Sequence, residues 1–305
     1  MRPVCPTGER TVVTGTAPSY ALALYESARP RLFGVAYRML GSAAEAEDVL
    51  QEVWLRWERV DYADVVEPIA FLVTMTTRLA INELQSARVR REVYVGPWLP
   101  EPVDTSDDPT LGAERAEALG VAVLLMLERL SPTERAAYVL REAFAYPYEE
   151  VAVVVQTSVV AARQLVSRAR KHLASERRRE VTDAEQHRLL AAFVAAARTG
   201  DLDRLEALLA EDVVSLSDGG GVVRASRIPV VGRDRVAKFV RAFHEHFWEG
   251  VDATPTTTNG RPSMVLSREG AVFAVLALEC SPQGVERILW MMNPHKLGAV
   301  TPHGA

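Results

Sequence analysis

Lysine is nearly absent: Lys171, Lys238 and Lys296 stand beside 32 arginines in a chain of 305 residues. A GC-rich coding bias accounts for that preference, which by itself assigns no partner. Cysteine is as rare, with only Cys5 and Cys280. Two such thiols make neither a disulfide framework nor a metal cluster, and a reducing cytoplasm fits them best. No run of about 18 apolar residues occurs, so no membrane span is expected. The N-terminus lacks the charged-then-apolar order of a secretory signal, because Arg2 and Arg10 flank mostly small and polar residues. The net charge of −5 excludes a polycation, so any nucleic-acid footprint must be local. What is present is globular: 48% of residues are hydrophobic and 25% charged, enough for a sizeable core. The length suggests about two domains, or three small ones.

The charges are unevenly spread. Residues 161–180 carry seven basic groups (Arg163, Arg168, Arg170, Lys171, Arg177, Arg178, Arg179) against Glu176 and Glu180. Residues 43–58 are acidic, with Glu45, Glu47, Asp48, Glu52 and Glu58 against Arg56. Residues 1–19 are aperiodic and read as a flexible tail. From 20 to 91 the pattern is helical. Leu22, Tyr25, Leu32, Val35, Ala36 and Met39 give one apolar face, with Pro30 expected to begin or kink a turn. Gly41-Ser42 stops that helix and caps the next, which aligns Ala46, Val49, Leu50, Val53, Trp54 and Trp57. Pro68 opens a third helix that ends in Arg88, Arg90 and Arg91. Residues 92–110, with Pro97, Pro100, Pro102 and Pro109, read as an extended linker.

Residues 111–180 return to helix. One helix is expected from Leu111 to Leu130, and Ser131-Pro132-Thr133-Glu134 is a capping-box start. Short helices follow at about 148–155 and 159–174. After about 180 the order becomes α+β. Helices are expected at 183–198, 201–210 and 233–247. Strands are expected at Val213–Ser217, Val222–Ala225, Pro262–Leu266, Ala271–Leu278 and Val285–Met292. Gly219-Gly220-Gly221 would turn between the first two strands.

The segment 148–171 carries the sharpest signal. A short helix from Tyr148, a turn at Gln156-Thr157-Ser158 and a basic second helix form a helix-turn-helix pattern. Ala162, Val166, Ala169 and Leu173 make one buried stripe of the second helix. Ala161, Arg163, Gln164, Ser167, Arg168 and Lys171 are left outward, where they can bond base edges and phosphates in a major groove. Small residues at Val160 and Ala161 allow close approach. The competing account is a helical hairpin with a solvated basic face.

These motifs together resemble a bacterial sigma factor of the extracytoplasmic-function group. Tyr148-Glu149-Glu150-Val151-Ala152 and Arg168-Ala169-Arg170 resemble its helix-turn-helix, and Leu130 to Arg135 the start of that module. Ala46 to Trp57 is similar to the segment that binds the polymerase clamp. Pro68 to Leu72, with Arg78, Asn82 and Arg88 to Arg91, is similar to the −10 element reader. The sequence departs from the pattern at Gln156, where relatives usually have Gly, and at Leu165, where many have a basic residue. Trp98-Leu99-Pro100-Glu101-Pro102, Asp218-Gly219-Gly220-Gly221 and Asn293-Pro294-His295-Lys296-Leu297 resemble the marks of sigma factors fused to a SnoaL-like domain. That subgroup usually has Asp where His295 stands, and a His there titrates nearer neutrality.

The resemblance implies two all-α sigma domains, region 2 at 20–91 and region 4 at 111–180, joined by the linker 92–110. An α+β, NTF2-like cone-shaped barrel would follow at 181–305. It implies core RNA polymerase, at its clamp and flap regions, and promoter DNA as partners, with the free protein a monomer. No catalytic residue, metal or cofactor is implied. Ser158, Val160, Ala161, Arg163, Gln164, Ser167, Arg168, Arg170 and Lys171 would read the −35 element. Arg78, Asn82, Gln85, Ser86, Arg88, Arg90 and Arg91 would hold the −10 element. Asp48, Gln51, Glu52, Trp54 and Trp57 would dock on polymerase, although Trp57 fits an internal core equally well. Residues 92–110 would act as a flexible spacer between the two readers. Trp98, Leu99 and Pro100, the Asp218–Gly221 motif and Asn293 to Leu297 would form a regulatory contact between domains.

Two other functions compete with a promoter-specificity factor. One is a ligand-responsive regulator that binds duplex DNA alone. The other is a SnoaL-type enzyme with a DNA-binding appendage, using Asp218, His244, His246 or His295. A small ligand in the C-terminal pocket is compatible with any of the three. His244 and His246 lie two apart on an expected helix and make a poor metal pair.

Overall fold

The computed structural model describes residues 17–61, 65–105, 120–174 and 181–300. Three long helices build the front unit. α1 (Ala17–Leu40) starts inside the expected tail and continues through Pro30. Pro30 and Glu26 both face solvent, so the carbonyl that loses its donor can bond water. Gly41 ends α1 with φ +69°, and Ser42 caps α2 (Ala43–Trp57) by accepting from the Glu45 N–H. Pro68 occupies the first turn of α3 (Pro68–Glu92). Leu32, Val35, Met39, Leu50, Val53, Leu72 and Leu84 are buried where the three helices meet.

The second unit continues the same core. It contains α4 (Val121–Leu127), α5 (Pro132–Tyr138), a π-helical turn at Val139–Ala143, α6 (Tyr148–Val154) and α7 (Val159–Ala174). The Ser131–Glu134 capping box forms in both directions. The expected stripe of α7 is buried, with Ala162, Val166 and Ala169 fully enclosed and Leu173 nearly so. Leu124, Leu127, Leu130 and Leu140 join one apolar cluster with Leu32, Leu50 and Leu84, so the two helical units share a core. The first part of the helix expected from Leu111 lies outside the described residues.

The last unit opens with α8 (Asp183–Thr199) and α9 (Leu202–Leu208). Its six strands are β1 (Leu209–Asp218), β2 (Val230–Val231), β3 (Val251–Thr258), β4 (Arg261–Arg268), β5 (Ala271–Ser281) and β6 (Gly284–Met291). They form one sheet in the order β2-β1-β6-β5-β4-β3, with β1 and β6 parallel and the other pairs antiparallel. Two helices, α10 (Arg233–Ala242) and α11 (His244–Trp248), replace the single helix expected at 233–247.

One expected strand is absent, and β2 and β3 were not expected. Val222–Ala225 is no strand: the Val222 and Val223 N–H groups fold back onto the Gly219 carbonyl in a tight turn. β3 went unrecognised because Val251-Asp-Ala-Thr-Pro-Thr-Thr-Thr lacks apolar alternation. It is an edge strand, where Pro255 is tolerated.

Both faces of the sheet are covered, with alternate residues turned opposite ways. Leu276, Leu278, Ile288 and Trp290 pack on the face that carries α8 and α10. Val275, Ala277, Leu289 and Met291 pack on the other, against Leu99 of the linker and Val121 of α4. The second face therefore buries its apolar surface against the front of the chain, which places the linker within reach of the strand ends.

Candidate functional site

The outward face of α7 is open. Ser158, Val160, Arg163, Gln164, Ser167, Arg168, Arg170 and Lys171 are exposed, and Ala161 is half-buried. Ser158 caps the helix by accepting from the Ala161 N–H at 3.1 Å. The turn before it places Gln156 at φ +56°, the left-handed conformation that glycine adopts without strain. Arg168 pairs with Glu134 at 3.0 Å and Arg170 with Glu142 at 2.8 Å. These arginines are exposed, each held by one half-buried carboxylate. Arg163 leans over the Tyr148 ring.

α3 is arranged differently. Asn82, Gln85 and Ser86 are exposed along one side. Arg78 donates to the carbonyls of Val153 and Val154 at 2.9 and 3.1 Å, covering the C-terminal end of α6. Arg88 donates to the carbonyls of Glu128 and Leu130. Arg91 joins the Leu40 carbonyl and the Glu128 carboxylate, and lies 3.7 Å from the centre of the Trp98 ring. Arg90, itself exposed, bonds the half-buried Glu45 and Glu83. Arg78, Arg88 and Arg91, expected as phosphate contacts, are thus engaged within the protein in this conformation. All three bind the second helical unit or the linker.

Glu128 anchors that closure. It bonds Arg91 and the fully buried Arg135, whose Nε–H also donates to the Arg38 carbonyl at 2.9 Å. Burial pushes the Glu128 carboxyl up, but the Arg135 and Arg91 charges outweigh it and hold the group below the usual carboxylate range.

On α2, Asp48 and Gln51 are exposed, and Glu52 and Trp54 half-buried. Trp57 is fully enclosed and donates its indole N–H to the Ala21 carbonyl at 3.0 Å. Its place among the docking residues is corrected: it is core. The exposed apolar side chain on this face is Leu55.

The linker and the C-terminal motifs meet in a buried polar knot. Asp218 is fully enclosed at the end of β1. One carboxylate oxygen accepts from Tyr94 Oη–H at 2.5 Å and Gly220 N–H at 3.1 Å. The other accepts from Leu99 N–H at 2.8 Å and Lys296 Nζ at 2.7 Å. Lys296 also donates to the Leu99 carbonyl at 2.6 Å and faces the rings of Trp98 and Tyr94. Burial pulls the Lys296 ammonium below the usual lysine range, against the opposing effect of Asp218. Asn293 donates to Tyr94 Oη at 2.8 Å. Gly220, at φ +60°, lies against Asn293 so closely that a Cβ would overlap its amide. A Cβ on Gly219 would reach 2.7 Å from the Val223 carbonyl, and one on Gly221 3.1 Å from Val95. Leu297 is buried beside Leu99 in the same cluster. Pro100 is also buried, whereas Pro294 and His295 are exposed. His295 contributes its backbone N–H, which donates to Asn293 Oδ1.

Residues 93–105 are thus pinned, in contrast to the flexible spacer expected there. Glu101 accepts from Ser42 and the first N–H groups of α2, and its carbonyl accepts from Tyr37 at 2.6 Å. Val103 and Asn259 exchange bonds at 2.8 and 3.2 Å, and Asn259 reaches Tyr37 as well.

Comparison with known proteins gives the families of the three units. Sigma-70 region 2 matches residues 24–90, Sigma-70 region 4 matches 120–173, and a SnoaL-like domain matches 190–275. The chain is 40% identical over 232 residues to the ECF RNA polymerase sigma factor SigJ of Mycobacterium tuberculosis, covering 74% of each protein. The chain belongs to the ECF RNA polymerase sigma factors. A probable ECF sigma factor, SigI of the same species, is 31% identical over 283 residues, covering 90% of this chain and 94% of its own. The crystal structure of M. tuberculosis SigJ superposes with a TM-score of 0.73 at 32% identity, covering 92% of this chain and 99% of that one.

As a sigma factor, the protein supports promoter-directed transcription initiation through regions 2 and 4, and its family is not one of enzymes. Among the described residues, no helix is long and apolar enough to cross a membrane. Sequence reasoning missed four residues of the closed arrangement: Tyr37, Tyr94, Glu128 and Arg135. Asn259 carried a legible signal, since Asn259-Gly260 is a two-residue hairpin turn. Nothing in its spacing pointed to Tyr37.

Proposed function

We propose that this sigma factor directs core RNA polymerase to its promoters by reading the −35 element with α7 and the −10 element with α3. In the free protein the C-terminal domain holds the closed form. The observation that carries this reading is the engagement of Arg78, Arg88 and Arg91 by region 4 and the linker. Arginines already bonded to carbonyls and a carboxylate cannot neutralise phosphates at the same time. Binding to polymerase has to separate regions 2 and 4 and free that side of α3.

α7 would present Arg163, Gln164, Ser167, Arg168 and Lys171 to the major groove, with Ser158, Val160 and Ala161 at its entry and Arg170 on the backbone. Asn82, Gln85 and Ser86 would meet the splayed −10 strand. Asp48, Gln51, Glu52 and Trp54, joined by Leu55, would dock on the polymerase clamp, and region 4 on the flap. The free protein works as a monomer in the cytoplasm. Its C-terminal domain acts by contact and not by catalysis.

Run-off transcription with core polymerase and a pooled promoter library tests the reading. Full-length protein, a chain ending near Arg179 and Asp218→Ala would run side by side. The expected result is one promoter consensus in all three, with higher yield from both altered forms. A changed consensus in either would contradict cis regulation, and no specific transcript from any form would contradict the two reading assignments.

A further inference from the structure

The face of the sheet turned away from the linker holds a cavity of about 420 Å³. This is the size of a small-molecule site. Its walls are Trp248, Trp290, Phe239, Phe243, Phe247 and Met292. The rings are already fixed. Trp290 donates its indole N–H to Ser215 at 3.2 Å, and Phe247 stands edge-on to Trp248 and Trp290 with ring centres 5.2 and 5.3 Å away. Such a wall favours a flat ring that completes the edge-to-face pattern. Ser217 also lines the cavity, 5% exposed, and its hydroxyl has no hydrogen-bond partner among the described residues. Arg224 lines the exposed side and makes no ion pair among them. A largely apolar site edged by one guanidinium, one unused hydroxyl and the exposed His246 imidazole suits a ligand with an aromatic body and a single carboxylate.

We propose that this cavity binds a planar aromatic carboxylate, and that its occupancy tightens the contact between the C-terminal domain and the linker. The second part rests on the closed-state reading given under Proposed function. The cavity and the polar knot share their supports. Ser217 faces the cavity and the adjacent Asp218 faces the linker. Met292 lines the cavity and the adjacent Asn293 holds Tyr94. The segment 219–228 has two sides as well. Arg224, Ala225 and Ser226 border the cavity, while Gly221 lies against Val95 and Arg227 against Gly96 of the linker. A carboxylate held by Arg224 and Ser217 ties this segment to the sheet in the position that meets the linker. Ordering that surface in advance favours linker docking, and by reciprocity a docked linker favours the ligand.

The probe is 2-naphthoate, titrated calorimetrically into the full chain, with its methyl ester as the uncharged control. One site with a micromolar Kd is expected, and the ester and Arg224→Gln should each bind about tenfold more weakly. Amide hydrogen exchange at Leu99 should slow about tenfold at saturation, and Asp218→Asn should weaken naphthoate binding by the same factor. No binding at millimolar probe, or equal binding of acid, ester and Arg224→Gln, would overturn the site. Binding that leaves Leu99 exchange unchanged would overturn the coupling. The underlying reading fails separately: Asp218→Asn would then match wild type in Leu99 exchange and transcript yield with no probe present.

Discussion

The two helices proposed to read DNA, α7 and α3, differ in what their arginines touch. On α7, Arg168 and Arg170 are themselves exposed and each pairs with one half-buried carboxylate, and Arg163, Gln164, Ser167 and Lys171 face outward. On α3, Arg78, Arg88 and Arg91 are drawn into region 4 and the linker, leaving Asn82, Gln85 and Ser86 in the open. The proposed −35 reader, α7, is presented, whereas the cationic side of the proposed −10 reader, α3, is occupied. Surface ion pairs contribute little and are easily exchanged for phosphate. Arginines bonded across to the carbonyls and the carboxylate of region 4 are released only when the domains part.

Glu128→Ala should break this contrast most strongly. It leaves Arg135 fully buried without its carboxylate, at a cost of about 3–5 kcal/mol to the closed form. Urea unfolding would show the loss, and the free factor should then bind a −10 single strand that wild type ignores. Asp218→Ala follows, because it strips Lys296, Tyr94 and the Leu99 N–H of their common acceptor. A loss of about 3 kcal/mol in linker docking is expected. Hydrogen exchange at Leu99 and Val103 would report it, with α7 unaffected.

Acid should weaken the same contact. The folded Glu128 carboxyl lies below its ordinary value, so its contribution is complete above the ordinary carboxylate pKa. That contribution is lost as pH falls through the lowered folded value. Glu128→Gln should flatten that part of the pH–stability curve. A smaller change of opposite sign is expected at the turn of the other reader. Gln156→Gly relieves a left-handed backbone and should add about 1 kcal/mol to thermal stability without altering closure. Ser167→Ala should change stability by less than about 0.5 kcal/mol. It should still weaken binding to −35 duplex in a gel-shift titration.

What was legible in the sequence follows the same division. The α7 stripe of Ala162, Val166, Ala169 and Leu173, and the Ser131 capping box, are local patterns, and local patterns survive in any tertiary setting. The fate of Arg78, Arg88 and Arg91 was not legible. A basic helix end has one sequence signature whether it meets phosphates or carbonyls, and the region 4 partners here are 37 to 76 residues away. Trp57 was ambiguous for a related reason. Its place on the apolar face of α2 suits a core and an interface alike, and only the packing of α1 and α3 decides. The three motifs at Trp98, Asp218 and Asn293 were visible as separate points. Their union on one carboxylate depends on β1 and β6 lying side by side, a parallel pairing that spacing does not reveal.

The central claim is closure of region 2 against region 4 in the free protein, and one distance measures it directly. Labels at exposed Asp48 on α2 and Gln164 on α7, with Cys5 and Cys280 replaced by serine, would be followed by single-molecule energy transfer. The expected result is one narrow, short-distance population in the free factor that becomes a long-distance one when core polymerase is added. A broad or already long distribution in the free factor, or the same short distance in the polymerase complex, would contradict it.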